Sequence, residues 1–434
     1  MEAGQPNLWT GRVSRVLALA FALLLAMGAG SGAAEKDSLA ELDAALKRAA
    51  DYFVGTQSKD GAWRSKTYGC FRESIDLTPY VMSALFFMPG GGAEARKAFR
   101  KGTELLLSRV DAGGKVDASG VLFPVYTAAS ASRVVVLGNK DVRHRRAQKA
   151  WLDFLRERRL SGRLGWEPSD SAFGGWGFSL AVPRKPEEGL PRERFFESNL
   201  SATVFGIAAL RSARVPKEDP VWGEILVFVR RCQNFAENPR QADPSFDDGG
   251  FFFIPEDPLQ NKAGIAGCDR FGRRRFRSYG SMTADGLRAL LRCGLPADHP
   301  RVRAARQWLE KRFTPKENPG VFARDREVLR NATYYYWSWA VAHAFLGLGL
   351  RTVRTREGTV DWARALADEL VARQRPDGSW RNPLTDAKED DPLVAGPWAA
   401  AALAICRAVL TCERATLARG TASRDAPQHS LRGR

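Results

Sequence analysis

FVGTQSKDGAW, Phe53–Trp63, and LVARQRPDGSW, Leu370–Trp380, lie near opposite ends of a 434-residue chain and share one spacing. Each sets a Gln, three residues, a Gly, one residue and a Trp after an apolar stretch. The Asp-Gly pair supplies a tight turn, since glycine enters positive φ at little steric cost. The segments before the turns, Leu42 to Phe53 and Trp362 to Leu370, carry apolar residues at helical spacing. Each unit therefore reads as a helix running into a Gln-to-Trp turn. Weaker copies lie between, at Gly174-Gly175-Trp176 and Asp248-Gly249-Gly250-Phe251.

A second landmark follows each turn. A small residue, usually Thr, precedes an apolar one by seven positions, at Thr78/Leu85, Thr127/Val134, Thr203/Leu210, Thr283/Leu290, Ser338/Phe345 and Gly396/Leu403. The intervening segments are apolar nearly all round, which marks buried helices. Other segments, such as Arg301 to Arg312, are charged on one face. Successive landmarks stand 49 to 80 residues apart, room for two helices and a loop. Buried helices ringed by half-exposed ones bury most surface if the array closes, and neither end has the polar character of a solenoid cap. The reading is all-α: one α6/α6 toroid of six helical hairpins within residues 35–412, its packed part running from about Leu39 to Leu410.

Hydrophobic residues make up 44% of the chain, enough for a large core, and the formal charge is +17. That charge favours anionic partners and says nothing of fold. No nucleic-acid recognition module accompanies it, so nucleic acid is not an expected partner; peripheral contact with anionic envelope surfaces is. Arg12 and Arg15 precede an apolar run, Val16 to Met27, then small residues up to Ala34. This is the pattern of a signal peptide over residues 1–34 and of an exported protein, with an uncleaved N-terminal anchor as the rival. The stretch 413–434 is polar and basic and reads as a disordered tail. Six cysteines permit disulfides in an oxidising compartment, but spacing fixes no connectivity.

The paired Gln-to-Trp turns, the GGWGF stretch at Gly174 to Phe178 and the order of hairpins resemble the terpenoid cyclase and protein prenyltransferase superfamily, in particular squalene-hopene cyclases. The resemblance covers nearly the whole chain after residue 34. It implies that Gln57, Trp63, Gln374 and Trp380 tie neighbouring hairpins together. It also implies a cavity for a hydrophobic or isoprenoid-like molecule. The cyclases hold a D-x-D-D-T-A segment at the start of an inner helix, after a GGW stretch. A polarised carboxylic acid there gives its proton to an alkene and is left as the carboxylate. The matching segment here is Asn199-Leu200-Ser201-Ala202-Thr203, in which the acid places hold Asn199, Ser201 and Ala202. Asp76, before Thr78-Pro79, is the remaining candidate catalytic acid, and its competing role is a charge beside a helix N-terminus.

The zinc pattern of prenyltransferases is not matched. Cys268-Asp269 is adjacent and reversed, and His343 lies within an apolar helix. No metal and no cofactor is expected. Tyr334, Tyr335, Tyr336 and Trp337 head an inner helix and are candidates to line the cavity, with plain core packing as the alternative. Asp243, Asp247 and Asp248 flank a glycine turn and suit either turn chemistry or a carbohydrate-active carboxylate pair. Three functions follow from these readings: a cyclase-like toroid that binds an apolar ligand without protonating it, an active terpenoid- or carbohydrate-processing enzyme with an unrecognised site, or an envelope scaffold.

Overall fold

The computed structural model describes residues 32–187 and 196–424. Its two full Gln-to-Trp turns are built alike. The Trp63 indole N–H donates to the Phe53 carbonyl at 2.7 Å, and that of Trp380 to Leu370 at 2.8 Å. Each indole thus closes back on the end of the helix that precedes it, where carbonyls lack helical partners. Both rings are fully buried.

Twelve helices carry the architecture: α1 (Gly32–Thr56), α2 (Thr78–Phe87), α3 (Gly92–Ser108), α4 (Pro124–Val134), α5 (Val142–Arg156), α6 (Leu200–Ser212), α7 (Val221–Arg231), α8 (Gly280–Arg292), α9 (Pro300–Arg312), α10 (Tyr334–Gly347), α11 (Trp362–Ala372) and α12 (Pro392–Arg424). The even-numbered helices are the apolar ones. In α6 every residue from Leu200 to Leu210 is buried, and in α8 every residue from Gly280 to Leu290. Full burial of each large aliphatic side chain contributes about 1.5–3 kcal/mol. The odd-numbered helices are one-sided. In α5 the buried set is His144, Ala147, Ala150, Trp151, Leu152 and Leu155, a stripe at helical spacing.

The even helices pack in a closed sequence: α2 on α4, α4 on α6, α6 on α8, α8 on α10, α10 on α12, and α12 back on α2. The odd helices cover them, α5 on α4, α9 on α8 and α11 on α12 among others. The N-termini are prepared locally. Asp141, Asn199 and Asp361 cap α5, α6 and α11 through side-chain oxygens, and proline opens α2, α4 and α9. Two short antiparallel hairpins interrupt the helical pattern: β1 (Ile265–Cys268) with β2 (Arg274–Phe276), and β3 (Thr352–Arg354) with β4 (Thr359–Asp361).

The glutamines join each turn to the next outer helix. Gln57 Nε2 donates to Gly61 O at 2.9 Å and to Ala98 O of α3 at 2.8 Å. Gln374 Nε2 donates to Gly378 O at 3.0 Å and to Ala45 O of α1 at 2.8 Å, so the last turn is bound to the first helix. Gln233 does the same in a third copy, reaching Gly249 O and Arg301 O of α9, both at 3.0 Å. The turn glycines explain the fixed Gly. Gly61 has φ +96°, and a Cβ on it would stand 2.6 Å from the Lys101 carbonyl oxygen of α3. Gly378, at φ +85°, is pressed in the same way on the Arg48 carbonyl of α1.

Residues 1–31 of the predicted signal peptide lie outside the described residues. Helix α12 continues to Arg424, past Glu413, where the sequence places a disordered tail. Ala, Leu and Arg in that stretch favour helix. Residues 425–434 lie outside the described residues. The window Pro392–Cys412 of α12 is apolar and long enough to cross a membrane, but 67% of its apolar window is buried in the protein, as befits a core helix. Cys70, Cys232, Cys268, Cys293 and Cys406 are free thiols.

Candidate functional site

Three of the six landmark residues, Thr78, Thr203 and Thr283, share one task. Thr203 Oγ1 accepts from the Trp176 N–H at 3.1 Å and donates to Asn199 O at 2.7 Å. Thr78 Oγ1 accepts from Trp63 N–H at 3.1 Å, and Thr283 Oγ1 from Phe251 N–H at 3.0 Å. Each threonine holds the aromatic end of a turn against the first turn of an even helix.

At the start of α6, Asn199 and Ser201, which the resemblance sets at the places of the cyclase acid, are neutral groups with structural partners. Asn199 Oδ1 accepts from the Ala202 N–H at 2.9 Å and caps the helix. Ser201 Oγ stands 2.7 Å from the Tyr336 hydroxyl of α10. Tyr336 donates in turn to Asp285 Oδ2 of α8 at 2.6 Å, and Arg288 Nη1 to Asp285 Oδ1 at 2.8 Å. Since an ionised carboxylate only accepts, Ser201 is the donor to Tyr336. A chain Ser201–Tyr336–Asp285–Arg288 therefore crosses from α6 through α10 to α8. Burial raises the Asp285 carboxyl to about 6 against the pull of Arg288 and Tyr336. Its ion pair with Arg288 favours the carboxylate, which accepts from Tyr336.

Around this chain the even helices place aromatic rings. Tyr80 of α2, Tyr126 of α4, Phe205 of α6, Tyr336 and Trp339 of α10 and Trp398 of α12 meet at the centre. Centroids lie 5.0 Å apart for Tyr126–Phe205, 5.6 Å for the stacked Phe205–Trp339 pair and 4.7 Å for Trp339–Trp398. Tyr80, Tyr126, Tyr336 and Trp398 are only partly buried although they sit in the middle of the ring. Electron-rich rings of this kind suit apolar molecules and cations alike.

Of the four aromatics singled out at the head of α10, only Tyr336 joins this centre. Tyr334 is buried with its hydroxyl on Pro315 O at 2.9 Å, and Arg373 lies over its ring. Trp337 is fully buried and donates to Thr314 O at 3.2 Å. Tyr335 is buried, and its ring stands edge-on to Tyr334. The helical period assigns Tyr336, Trp339 and His343 to the central face and turns Tyr334 and Trp337 away from it. Glu389 holds the start of α10, accepting from the Tyr335 and Tyr336 N–H groups at 2.8 Å each. Burial pushes its carboxyl up to about 8 against those donors.

Asp76 is buried with both oxygens engaged. Oδ2 accepts from Leu122 N–H at 3.0 Å, and Oδ1 from the Thr127 hydroxyl. It binds the entry of α2 to that of α4. Asp248 accepts from Gly250 N–H, Ser278 Oγ and Trp308 Nε1, and Asp247 pairs with Arg275. These carboxylates hold the turn. Asp269 is bound by Arg273 and Arg275 next to an exposed Cys268, while His343 lies on α10 against Trp339. Among the described residues no three His, Cys, Asp or Glu side chains cluster as a metal site.

The central residues Asp285, Arg288, Trp339 and Trp398 escape a motif search. Their signal is charge and ring size inside segments whose landmarks mark them as buried.

No protein-family model and no curated protein sequence matches the chain. Solved structures do. The type II terpene cyclase MstE from Scytonema aligns over 86% of this chain and 98% of its own, at 17% identity and a TM-score of 0.50. A variant of MstE with one tyrosine changed to phenylalanine gives 15% identity and 0.51 over 86% and 99%. Another, with one aspartate changed to asparagine and in complex with geranylgeranyl dihydroxybenzoate, gives 16% and 0.50 over the same shares. A likeness at this identity is one of architecture, and by it the chain has the α-α toroid fold of the terpenoid cyclases.

Proposed function

We propose that this chain is an exported, six-hairpin α6/α6 toroid that binds an apolar, isoprenoid-like molecule at its aromatic centre and does not protonate it. The observation that carries the reading is the start of α6. Asn199 and Ser201, set at the acid places by the resemblance, serve as a helix cap and a hydroxyl donor, which supports the loss of the acid. An amide and a hydroxyl cannot deliver a proton to an alkene, and the Ala202 methyl has none to give. Asp285 is hydrogen-bonded to Tyr336 of the central rings and is held by Arg288 as a carboxylate. The aromatic rings of the even helices supply the apolar wall. MstE, of the same fold, has been solved with a geranylgeranyl-bearing substrate, which makes isoprenoids the first class to try. The signal-like residues 1–34 support export.

The test is incubation of purified protein with squalene and with geranylgeranyl dihydroxybenzoate, followed by mass spectrometry and a binding assay. Binding without cyclic product is the expected result. Turnover that vanishes in Asp76→Asn or Asp285→Asn would overturn the non-protonating reading. A second reading, an envelope scaffold, draws on ring contacts as close as 4.7 Å between Trp339 and Trp398 at the centre. Neither binding nor turnover would favour it.

A further inference from the structure

Beside the aromatic centre lies a group of basic side chains with too few anions: Arg133, Arg288 and Arg292 are close enough to act on one another and on the neutral His343. Arg288 and Arg292 are one turn apart on α8, Arg133 is in the last turn of α4, and His343 is on α10. Arg288 lies 4.2 Å above the Trp339 ring, and the His343 ring is 5.1 Å from the same indole. One carboxylate, Asp285, faces them, and it is bound by Arg288 at 2.8 Å. The Arg288 side chain is 4% exposed, and its Nε has no hydrogen-bond partner. Arg292 Nη1 is likewise buried and unpartnered. Arg133 makes no side-chain hydrogen bond or ion pair among the described residues.

Guanidinium groups remain charged in proteins, so three of them, Arg288 buried and Arg133 and Arg292 half-buried, against one carboxylate leave a local surplus of positive charge. Burying unpaired charge is costly, and orphaned buried donors are rare in native proteins. Burial, then Arg288 and Arg133, press the Arg292 guanidinium well below its ordinary range. Burial and the same three arginines keep His343 neutral. Each effect would be relieved by one bound anion. Guanidinium N–H groups are suited to the oxygens of phosphate and carboxylate.

We propose that Arg133, Arg288 and Arg292 form a binding site for an oxyanion, the phosphate or carboxylate head of an amphiphile whose apolar chain lies on Trp339 and the neighbouring rings. The head group rests on the arginines alone; the apolar chain rests on the function proposed above.

Calorimetric titration of the full chain with farnesyl phosphate, farnesol and inorganic phosphate separates the two claims. Farnesyl phosphate is expected to bind at least tenfold more tightly than farnesol. Arg292→Met and Arg133→Met should each abolish that advantage and leave farnesol unaffected. The free variants should melt no lower than the parent, since each loses an unpaired interior charge. Binding of inorganic phosphate as tight as that of farnesyl phosphate would keep the oxyanion site and refute the apolar one. Equal affinity for farnesol and farnesyl phosphate, or an advantage that survives both substitutions, would overturn the oxyanion site. So would a fall in melting temperature of the free variants, because it would mean that the protein already balances these charges.

Discussion

Gly378→Ala tests whether the ring is closed where its ends meet. Two costs fall on the substitution. Alanine at φ +85° incurs about 1–2 kcal/mol of left-handed strain. Its methyl would also meet the Arg48 carbonyl of α1, so helix or turn must yield, and such overpacking costs about 1–3 kcal/mol more. The expected loss is about 2–5 kcal/mol. Gly61→Ala makes the matching change between the first turn and α3, at φ +96° with Lys101 O 2.6 Å from the new carbon, and should lose a similar amount. Gly114→Ala is the control: its φ is +80° and no atom lies within 4 Å of the new methyl, so only the strain remains. Urea melts followed by circular dichroism measure all three. Equal midpoints for Gly378→Ala and Gly114→Ala would refute the close-approach argument. A full loss at Gly61 with only strain at Gly378 would mean that the last turn does not press on α1, and that the array is open.

Trp63→Ala and Trp380→Ala should each lose about 3–5 kcal/mol in the same melts, since both indoles are fully buried, and wild-type midpoints would refute their role as hairpin anchors. Asp285 titrates near 6 in the folded chain against 3.8 when unperturbed. The folded state therefore keeps a proton that the unfolded chain releases, and stability falls by about 3 kcal/mol as pH rises from about 4 to about 6, then levels. Asp285→Asn should remove that fall, and unfolding free energies at four pH values check it; parallel profiles would contradict the assignment. N-terminal sequencing of envelope-fraction protein should begin near Ala34 or Glu35, and an intact Met1 on soluble cytosolic protein would contradict export.

The all-α architecture was legible because its punctuation is local. A Gln, Gly and Trp at fixed spacing encode a turn whose bonds return to the preceding helix, and at Thr78, Thr203 and Thr283 the Thr seven positions before an apolar residue receives the turn's N–H. Both are short-range requirements, so residue identity records them. The centre was far less legible. Tyr336 was separable from Tyr334 and Trp337 only by knowing which face of α10 turns inward, and four consecutive aromatics hide that phase. Asp285 and the arginines of α8 acquire meaning from Ser201 and Trp339, which belong to other helices. Asp76 drew attention as a carboxylate near a helix start, and its partners Leu122 and Thr127 lie on the next hairpin. Contacts between hairpins leave no fixed spacing in the chain.

The bond from Gln374 to Ala45 joins residues 329 apart, and the ion pair of Arg407 with Asp43 joins residues 364 apart. Such contacts form only after nearly the whole chain has been made, and closing so long a loop is slow. During synthesis α1 has its early neighbours α2 and α3, but the side that later receives α11 and α12 stays bare. An apolar helix face left waiting is an invitation to aggregate. A chain threaded unfolded across a membrane avoids that interval in the cytosol, since its first helix leaves before its last is made. On the proposed export, ring closure would be the final event of folding, on the far side of the membrane.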